Sequence, residues 1–332
     1  MIFFDAPSAN APARRLVSVG ECMLELAPDA RPGLLRKGFA GDAFNTAWYA
    51  WRLRPDWAVR FVSRVGQDRP SDEMLAFMRA AGIETGHVLR CAARSIGVYM
   101  IWLEAGERSF SYWRERSAAR LLAQEPDALD RAFADADLVY LSGITLAILE
   151  GPGRENLFAA LERARARGAA VAFDPNIRPR LWPDAALMRQ SVMRAAGLAD
   201  IVLPSFDDEA AAFGDPDPQA SAARYADAGA RIVVVKNGGG PVAHLCEGRA
   251  GRTAPPPAGR IVDTTSAGDS FNAAFLAGLD HAADIETRIL AATRVANQVI
   301  ARKGALAPVD AGRWRRDLGM PEGAPAIDGG EQ

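Results

Sequence analysis

The run VDTTSAGDSFNAAFLAGL, Val262 to Leu279, puts one carboxylate, Asp269, in the first turn of an expected helix, directly after the small residues Ser266, Ala267 and Gly268. A helix start exposes N–H groups that lack an intrahelical acceptor, and those of Ala267, Gly268 and Asp269 would make a seat for negative charge. Glycine at the bend lets an anion approach the backbone without meeting a Cβ. An acid beside an anion seat fits phosphoryl transfer: the anion is the group in flight, and the acid takes the proton of the attacking hydroxyl. The same residues also form a serviceable capping sequence, and an Asp in a first turn stabilises a helix through its dipole. The run gains chemical meaning only from agreement elsewhere in the chain.

Five other constellations bear on it. In KGFAGDAFNTAWYAWRL, Gly41, Asp42 and Asn45 stand at a helix opening where short polar groups can grip sugar hydroxyls, while Phe44, Ala47, Trp48 and Trp51 read as core. In RSFSYWRE, Arg114 and Tyr112 share a strand face and offer a charged fork and a phenol to a carboxylate; an arginine on a strand is otherwise a solvated side chain. In FDPNIRPRLW, Asp174 and Asn176 follow a buried-looking strand with Arg178 in reach of the same crevice, although Asp-Pro-Asn is also turn chemistry. After ADIVLPS, Ser205 and Asp208 open a helix, where the acid either holds magnesium-bound water or caps; KNGGG then ends a strand at Lys236 with glycines, Gly238 and Gly239 among them, that suit a nucleotide or a loose hairpin equally. No G-x-x-x-x-G-K-[ST] occurs, and no G-x-G-x-x-G joins an early strand to a helix.

The elements that must position these residues alternate. Short apolar runs at 16–20, 58–66, 137–143, 169–174, 199–205 and 231–239 are interleaved with amphipathic segments such as 155–167 and 184–198, which argues for an α/β fold with a parallel sheet flanked by helices. Several runs end in Gly, Asp or Ser, where open α/β sheets place ligands. The segments 97–104 and 108–115 break the pattern and read as a hairpin, with Phe110, Tyr112 and Arg114 on one face and Ser109, Ser111 and Trp113 on the other. Such a flap, with further strands from 21–40, would cover a substrate or pair with a second subunit. Residues 1–13 and 320–332, rich in Ala, Pro and Gly, read as loosely ordered tails, and 255–259 as a loop before a final strand and helix.

Composition narrows the partners. With 332 residues, 49% hydrophobic, 24% charged and a net charge of −2, the chain has core enough for a globular protein and no electrostatic footprint for nucleic acid or an anionic membrane. Cys22, Cys91 and Cys246 show no metal-like spacing, and His87, His244 and His281 lie far apart, so neither a disulfide framework nor a structural metal is expected. The apolar patch after Met1 is too short for a signal-peptide core, and the default compartment is the cytoplasm.

Taken in order, GECMLEL, GFAGDAFNTA, RSFSYWRE, VYLSGITLAIL, FDPNIRPRLW, PSFDDE, VVVKNGGG and VDTTSAGDSFNAAFLA resemble the ribokinase-like, PfkB-type carbohydrate kinases over about residues 16 to 310. The resemblance implies one ribokinase-like three-layer α/β/α domain with a small β-lid from about 21–40 and 95–116, and ATP and Mg²⁺ as cofactors. By the family's pattern Asp269 is the catalytic base, with Gly268 and Ala267 in the anion hole. Gly41, Asp42, Asn45, Tyr99, Tyr112, Trp113, Arg114 and Arg178 match sugar-side positions, and Asn176, Ser205, Lys236, Gly238, Gly239, Ser266, Ala267 and Gly268 match nucleotide positions. The flap ending Tyr112-Trp113-Arg114 points to the branch acting on acid sugars, 2-keto-3-deoxygluconate among them. Alternatives are a kinase of a neutral sugar such as fructose or ribose, a silent sugar-binding protein on the same scaffold, and a nicotinamide-dependent dehydrogenase. Two departures stand out: Ser205-Phe206-Asp207-Asp208 replaces the family's Asn-x-x-Glu, and Ser266-Ala267-Gly268-Asp269 its Gly-Ala-Gly-Asp. A homodimer or larger homo-oligomer through the lid is expected, because an exposed apolar hairpin invites pairing.

Overall fold

The computed structural model describes residues 13–321 apart from 30, 32, 105 and 106, together with all side chains in that range except those of 103, 104, 107 and 108. The expected tails therefore fall almost wholly outside the described residues, as does the tip of the flap. The strands in chain order are β1 (Arg15–Val19), β2 (Met23–Pro28), β3 (Leu35–Ala40), β4 (Ala58–Val65), β5 (Val88–Arg90), β6 (Val98–Glu104), β7 (Glu107–Trp113), β8 (Leu138–Ser142), β9 (Ala170–Asp174), β10 (Ile201–Val202), β11 (Ile232–Val235), β12 (Val242–Cys246) and β13 (Arg249–Thr253).

The larger sheet has the order β13-β12-β11-β10-β9-β8-β1-β4-β5 and is parallel from β11 to β5. Its central strands read as unbroken apolar runs because both faces are covered. Leu16, Tyr140 and Ala172 pack under the helices Asp42–Leu53, Ala267–Ala277 and Ile285–Ile300, whereas Val17, Leu141 and Phe173 pack under Gly153–Ala166 and Ala185–Leu198. The period-two alternation thus sends successive side chains into two separate cores and yields three layers, α/β/α.

Two sequence expectations need correction at one end of the chain. Val262–Thr264 is not a strand: the amides of Val262 and Asp263 both bond to the carbonyl of Ile300, the last residue of its helix. The stretch after Lys236 is a hairpin, β11 and β12 being antiparallel, and β13 adds a second antiparallel edge strand that the alternating pattern did not indicate.

The second sheet, β3-β2-β6-β7, is the lid. Its shortest connections to the rest of the chain are Gly20–Cys22 between β1 and β2 and Gly41 alone between β3 and the helix Asp42–Leu53; the chain crosses again from β5 to β6 and from β7 towards β8. Met23, Ala27, Ala40, Tyr99 and Ile101 on its inner face pack on Ala305. No helix among the described residues is long and apolar enough to cross a membrane.

Candidate active site

The carboxyl ends of β8 and β9, the starts of two helices and the inner face of the lid enclose a crevice of about 530 Å³. On its floor lies the helix Ala267–Ala277. The residue before it, Ser266, is in the left-handed region (φ 60°) and makes no side-chain cap. Asp263 shapes the approach: its Oδ1 accepts from the amide of Thr265 at 3.0 Å and its Oδ2 from that of Gly304 at 2.7 Å. Of the three amides expected to form the anion seat, that of Ala267 already donates to the carbonyl of Thr264 at 3.2 Å, so the turn itself uses it. Those of Gly268 and Asp269 have no acceptor among the described residues. A Cβ on Gly268 would lie 3.7 Å from Lys236 Nζ, so a full positive charge adjoins the two free amides. Lys236 is held by Asp174 Oδ2 and Asn272 Oδ1, each at 2.9 Å, and Asn272 Nδ2 donates to Asp174 at 2.6 Å. In this Lys-Asp-Asn knot Asp174 and Asn272 are buried and Lys236 half-buried, and the hydrogen bonds fix the amine beside the helix start.

Asp269 is half-buried at the crevice floor, and desolvation there is the main cause that pushes its carboxyl up to about 7; the nearby Asp42 adds to this, Asn45 opposes it by hydrogen bonding, Asp174 raises it and Lys236 lowers it. Asn45 Nδ2 donates to Asp269 Oδ2 and to Ser266 Oγ, both at 2.8 Å, across two helix starts. Asp42 Oδ2 accepts from Asn176 Nδ2 at 2.8 Å, and the Asn176 amide donates to Asp174 Oδ1 at 3.0 Å with φ at 34°, so the turn after β9 is tied to both acids. Gly41 precedes the helix in extended conformation, and a Cβ there would lie 2.1 Å from the carbonyl oxygen of Glu21. Only glycine lets the two backbones lie so close.

From the lid, Tyr99, Phe110, Tyr112 and Arg114 face the crevice. The ring centroids of Tyr99 and Tyr112 are 5.9 Å apart, and those of Phe110 and Tyr112 6.2 Å apart, an aromatic wall opposite Asp269. Tyr99 donates to Glu25, and burial drives its phenol far above the ordinary range. Arg114 is buried, not solvated, and pairs with Glu21. Trp113 does not reach the crevice: strand alternation turns it to the outer face, where it is 54% exposed.

On the other wall Arg178 meets Asp208 Oδ2 at 3.1 Å, and burial raises the Asp208 carboxyl despite that pairing. Ser205 opens its helix without capping it and lines the crevice. Gly238 and Gly239 do not line it; they form the β11–β12 turn. The structure therefore brings together Gly41, Asp42, Asn45, Tyr99, Tyr112, Arg114, Asn176, Arg178, Ser205, Lys236, Ser266, Ala267, Gly268 and Asp269, and leaves out Trp113, Gly238 and Gly239. Glu21 and Asn272 escaped the sequence reading. The signal for Glu21 was one of two acids in the otherwise apolar GECMLEL, and for Asn272 a lone amide in FNAAF.

The profile of the pfkB family carbohydrate kinases matches residues 13–311. The chain belongs to this family. Like its other members it is a phosphotransferase with an alcohol acceptor. The 2-dehydro-3-deoxygluconokinase of Haemophilus influenzae is 36% identical over 301 residues, covering 88% of this chain and 95% of that protein. That of Dickeya dadantii is also 36% identical, over 306 residues, covering 90% and 98%. Among solved structures, a PfkB protein from Polaromonas sp. JS666 superposes with a TM-score of 0.77 at 28% identity, covering 87% of this chain and 96% of that one. The mixed sheet with helices on both sides is thus the ribokinase-like fold of this kinase family.

Proposed function

We propose that this kinase transfers the γ-phosphoryl group of ATP to a hydroxyl of an acid sugar, 2-keto-3-deoxygluconate (the 2-dehydro-3-deoxygluconate of its relatives' names). The observation that carries this is the placement, in one crevice, of a base with free helix amides and a lysine at one end and a buried arginine with two tyrosines at the other. The first end suits a phosphate and an attacking hydroxyl, the second a carboxylate.

In the proposed step the hydroxyl oxygen bonds to the γ-phosphorus as the bond to the β–γ bridging oxygen breaks, and ADP leaves. The hydroxyl proton passes to the Asp269 carboxylate. A base at about 7 is still far weaker than an alkoxide, so the proton moves as the new bond forms and not before. The Gly268 and Asp269 amides and Lys236 offset charge on the phosphoryl oxygens. Asn45 holds Asp269 in place and, with Asp42, addresses the sugar. The two free amides and the adjacent amine fit a nucleotide's phosphates, and Asp174 and Asp208 are the carboxylates that would hold Mg²⁺ through its waters. Bound Mg²⁺ would neutralise phosphate charge in the usual way.

A second copy of the chain is proposed to cover the lid's outer face, where Trp102 is 46% and Trp113 54% exposed beside Leu24, Leu26 and Met100. Light scattering on wild type and Trp113→Arg tests this; a wild-type monomer rejects it.

The deciding experiment is ATP- and Mg²⁺-dependent phosphorylation of 2-keto-3-deoxygluconate, with fructose, ribose and gluconate in parallel. Preference for the keto-deoxy acid is expected. Preference for a neutral sugar would keep Asp269 and discard the carboxylate clamp, and turnover of none would reject the substrate reading altogether.

A further inference from the structure

The geometry points to Glu21 as a positioning residue for substrate recognition, one that grips Arg114 by a single nitrogen and leaves another turned to the crevice for the substrate's carboxylate. The inference rests on the acid-sugar reading and deepens it.

Glu21 and Arg114 are 2% and 7% exposed, and both line the crevice. Their contact runs from Arg114 Nη2 to Glu21 Oε2 alone. Arg114 Nη1 has no partner among the described residues, and Arg114 Nε and Glu21 Oε1 are buried without one. A guanidinium and a carboxylate can meet through two parallel hydrogen bonds, so a one-point contact that strands an atom on each side is a poor device for stability. As a positioning device it makes sense. An arginine has many rotamers, and three other carboxylates, Asp42, Asp174 and Asp269, line the same space. Held by Glu21, the cation stays on the lid side, away from the base and the phosphate seat.

Two further contacts show that the pair is fitted. A Cβ on Gly97 would lie 2.8 Å from Glu21 Oε1 and 3.3 Å from Arg114 Cβ, so any side chain at 97 would displace it. The Glu21 carbonyl presses on Gly41, which ties the backbone carrying the pair to the helix start that bears Asp42 and Asn45. Arg114 on the lid and the sugar-side helix are thereby registered through one residue.

The test is steady-state kinetics of the full chain with ATP and the keto-deoxy acid for Glu21→Ala, Glu21→Gln, Arg114→Ala and Glu21→Ala/Arg114→Ala. Glu21→Ala is expected to raise KM for the acid sugar about tenfold or more with a smaller change in kcat and KM for ATP held, because loss of positioning weakens binding whereas a folding defect lowers active enzyme and hence kcat. Glu21→Gln, which keeps the shape and an acceptor oxygen, should recover part of the loss, and should show a KM rise of about threefold if the alanine variant does not fold. In the Arg114→Ala background the Glu21 change should add nothing, since both act through one group. Wild-type KM in the folded Glu21 variants, or full additivity in the double variant, would overturn the inference while leaving the acid-sugar reading intact. An unchanged KM in Arg114→Ala would instead overturn that reading and this inference together.

Discussion

Asn45 and Asp269 stand on the first turns of two different helices, and the amide of one donates to the carboxylate of the other at 2.8 Å. The bond joins the helix proposed to address the sugar to the helix proposed to carry the base, at the atom that would receive the proton. It also opposes the burial and the neighbouring carboxylates that push Asp269 up to about 7.

Asp269→Asn keeps the shape of that contact and removes the base. It should fold as wild type and lose roughly 10²- to 10⁴-fold in kcat, the span associated with a positioned general base. The wild-type rate should rise with pH through an inflection near the value of about 7 set by the Asp269 carboxyl. Wild-type turnover in the Asn variant would remove Asp269 from the chemistry.

The same substitution has an opposite effect on stability. In the unfolded chain Asp269 titrates near ~4, so between ~4 and ~7 the native state holds a proton that the unfolded state has released, and stability falls as pH rises through that window. Asparagine has no such penalty. Thermal unfolding of Asp269→Asn and wild type should therefore diverge from about pH 4 to about pH 7 and run parallel above it, the variant gaining on the order of 1 to 4 kcal/mol. Glu209, which burial also raises to about 7, is present in both and cancels in the difference. A difference flat with pH would mean that Asp269 titrates as an ordinary carboxylate.

Asn45→Ala removes the donor that favours the ionised form, so the Asp269 carboxyl should rise further and the acidic limb of the pH–rate profile should move to higher pH. A hydrogen bond to a charged group contributes about 1.5 to 3 kcal/mol, which corresponds to a displacement of roughly 1 to 2 pH units. A limb that moves to lower pH, or not at all, would show that Asn45 does not tune the base.

Gly268→Ala separates fold from function. The added methyl would sit 3.7 Å from Lys236 Nζ, an ordinary contact, and alanine suits a helix better than glycine. Stability should hold or rise slightly, while the methyl occupies the space where a phosphoryl oxygen would meet the amides. Activity is expected to drop about 10²-fold or more, the order seen when an oxyanion donor is lost. Full activity with this variant would place the phosphate elsewhere.

Much of this was legible in the chain because it rests on local periodicity. The alternation along β7 separates Phe110, Tyr112 and Arg114 from Trp113, and the structure follows it, with Trp113 outside the crevice. The helix after Ser266 was visible from its small residues, but the strand expected before it is absent, because Val262 and Asp263 bond to the end of another helix more than thirty residues later, which no local pattern encodes. Gly238 and Gly239 carry the same letters in a hairpin turn as in any other loop, and that they turn a hairpin is seen only in the pairing of β11 with β12. The Ala267 amide was counted as free before the turn that uses it could be seen. Glu21 remained hidden because its importance lies in a partner 93 residues away.

The short connections between the two sheets have a mechanical consequence. Gly20–Cys22 leads into the lid and Gly41 leads out of it, with Glu21 and Gly41 lying against each other. The crevice proposed for the sugar is therefore a seam, with one lip on each body, and a displacement of the lid would take it apart. A pulling or cross-linking measurement across this seam would report sugar affinity and sheet separation as a single quantity, since opening the door here also takes apart the chair.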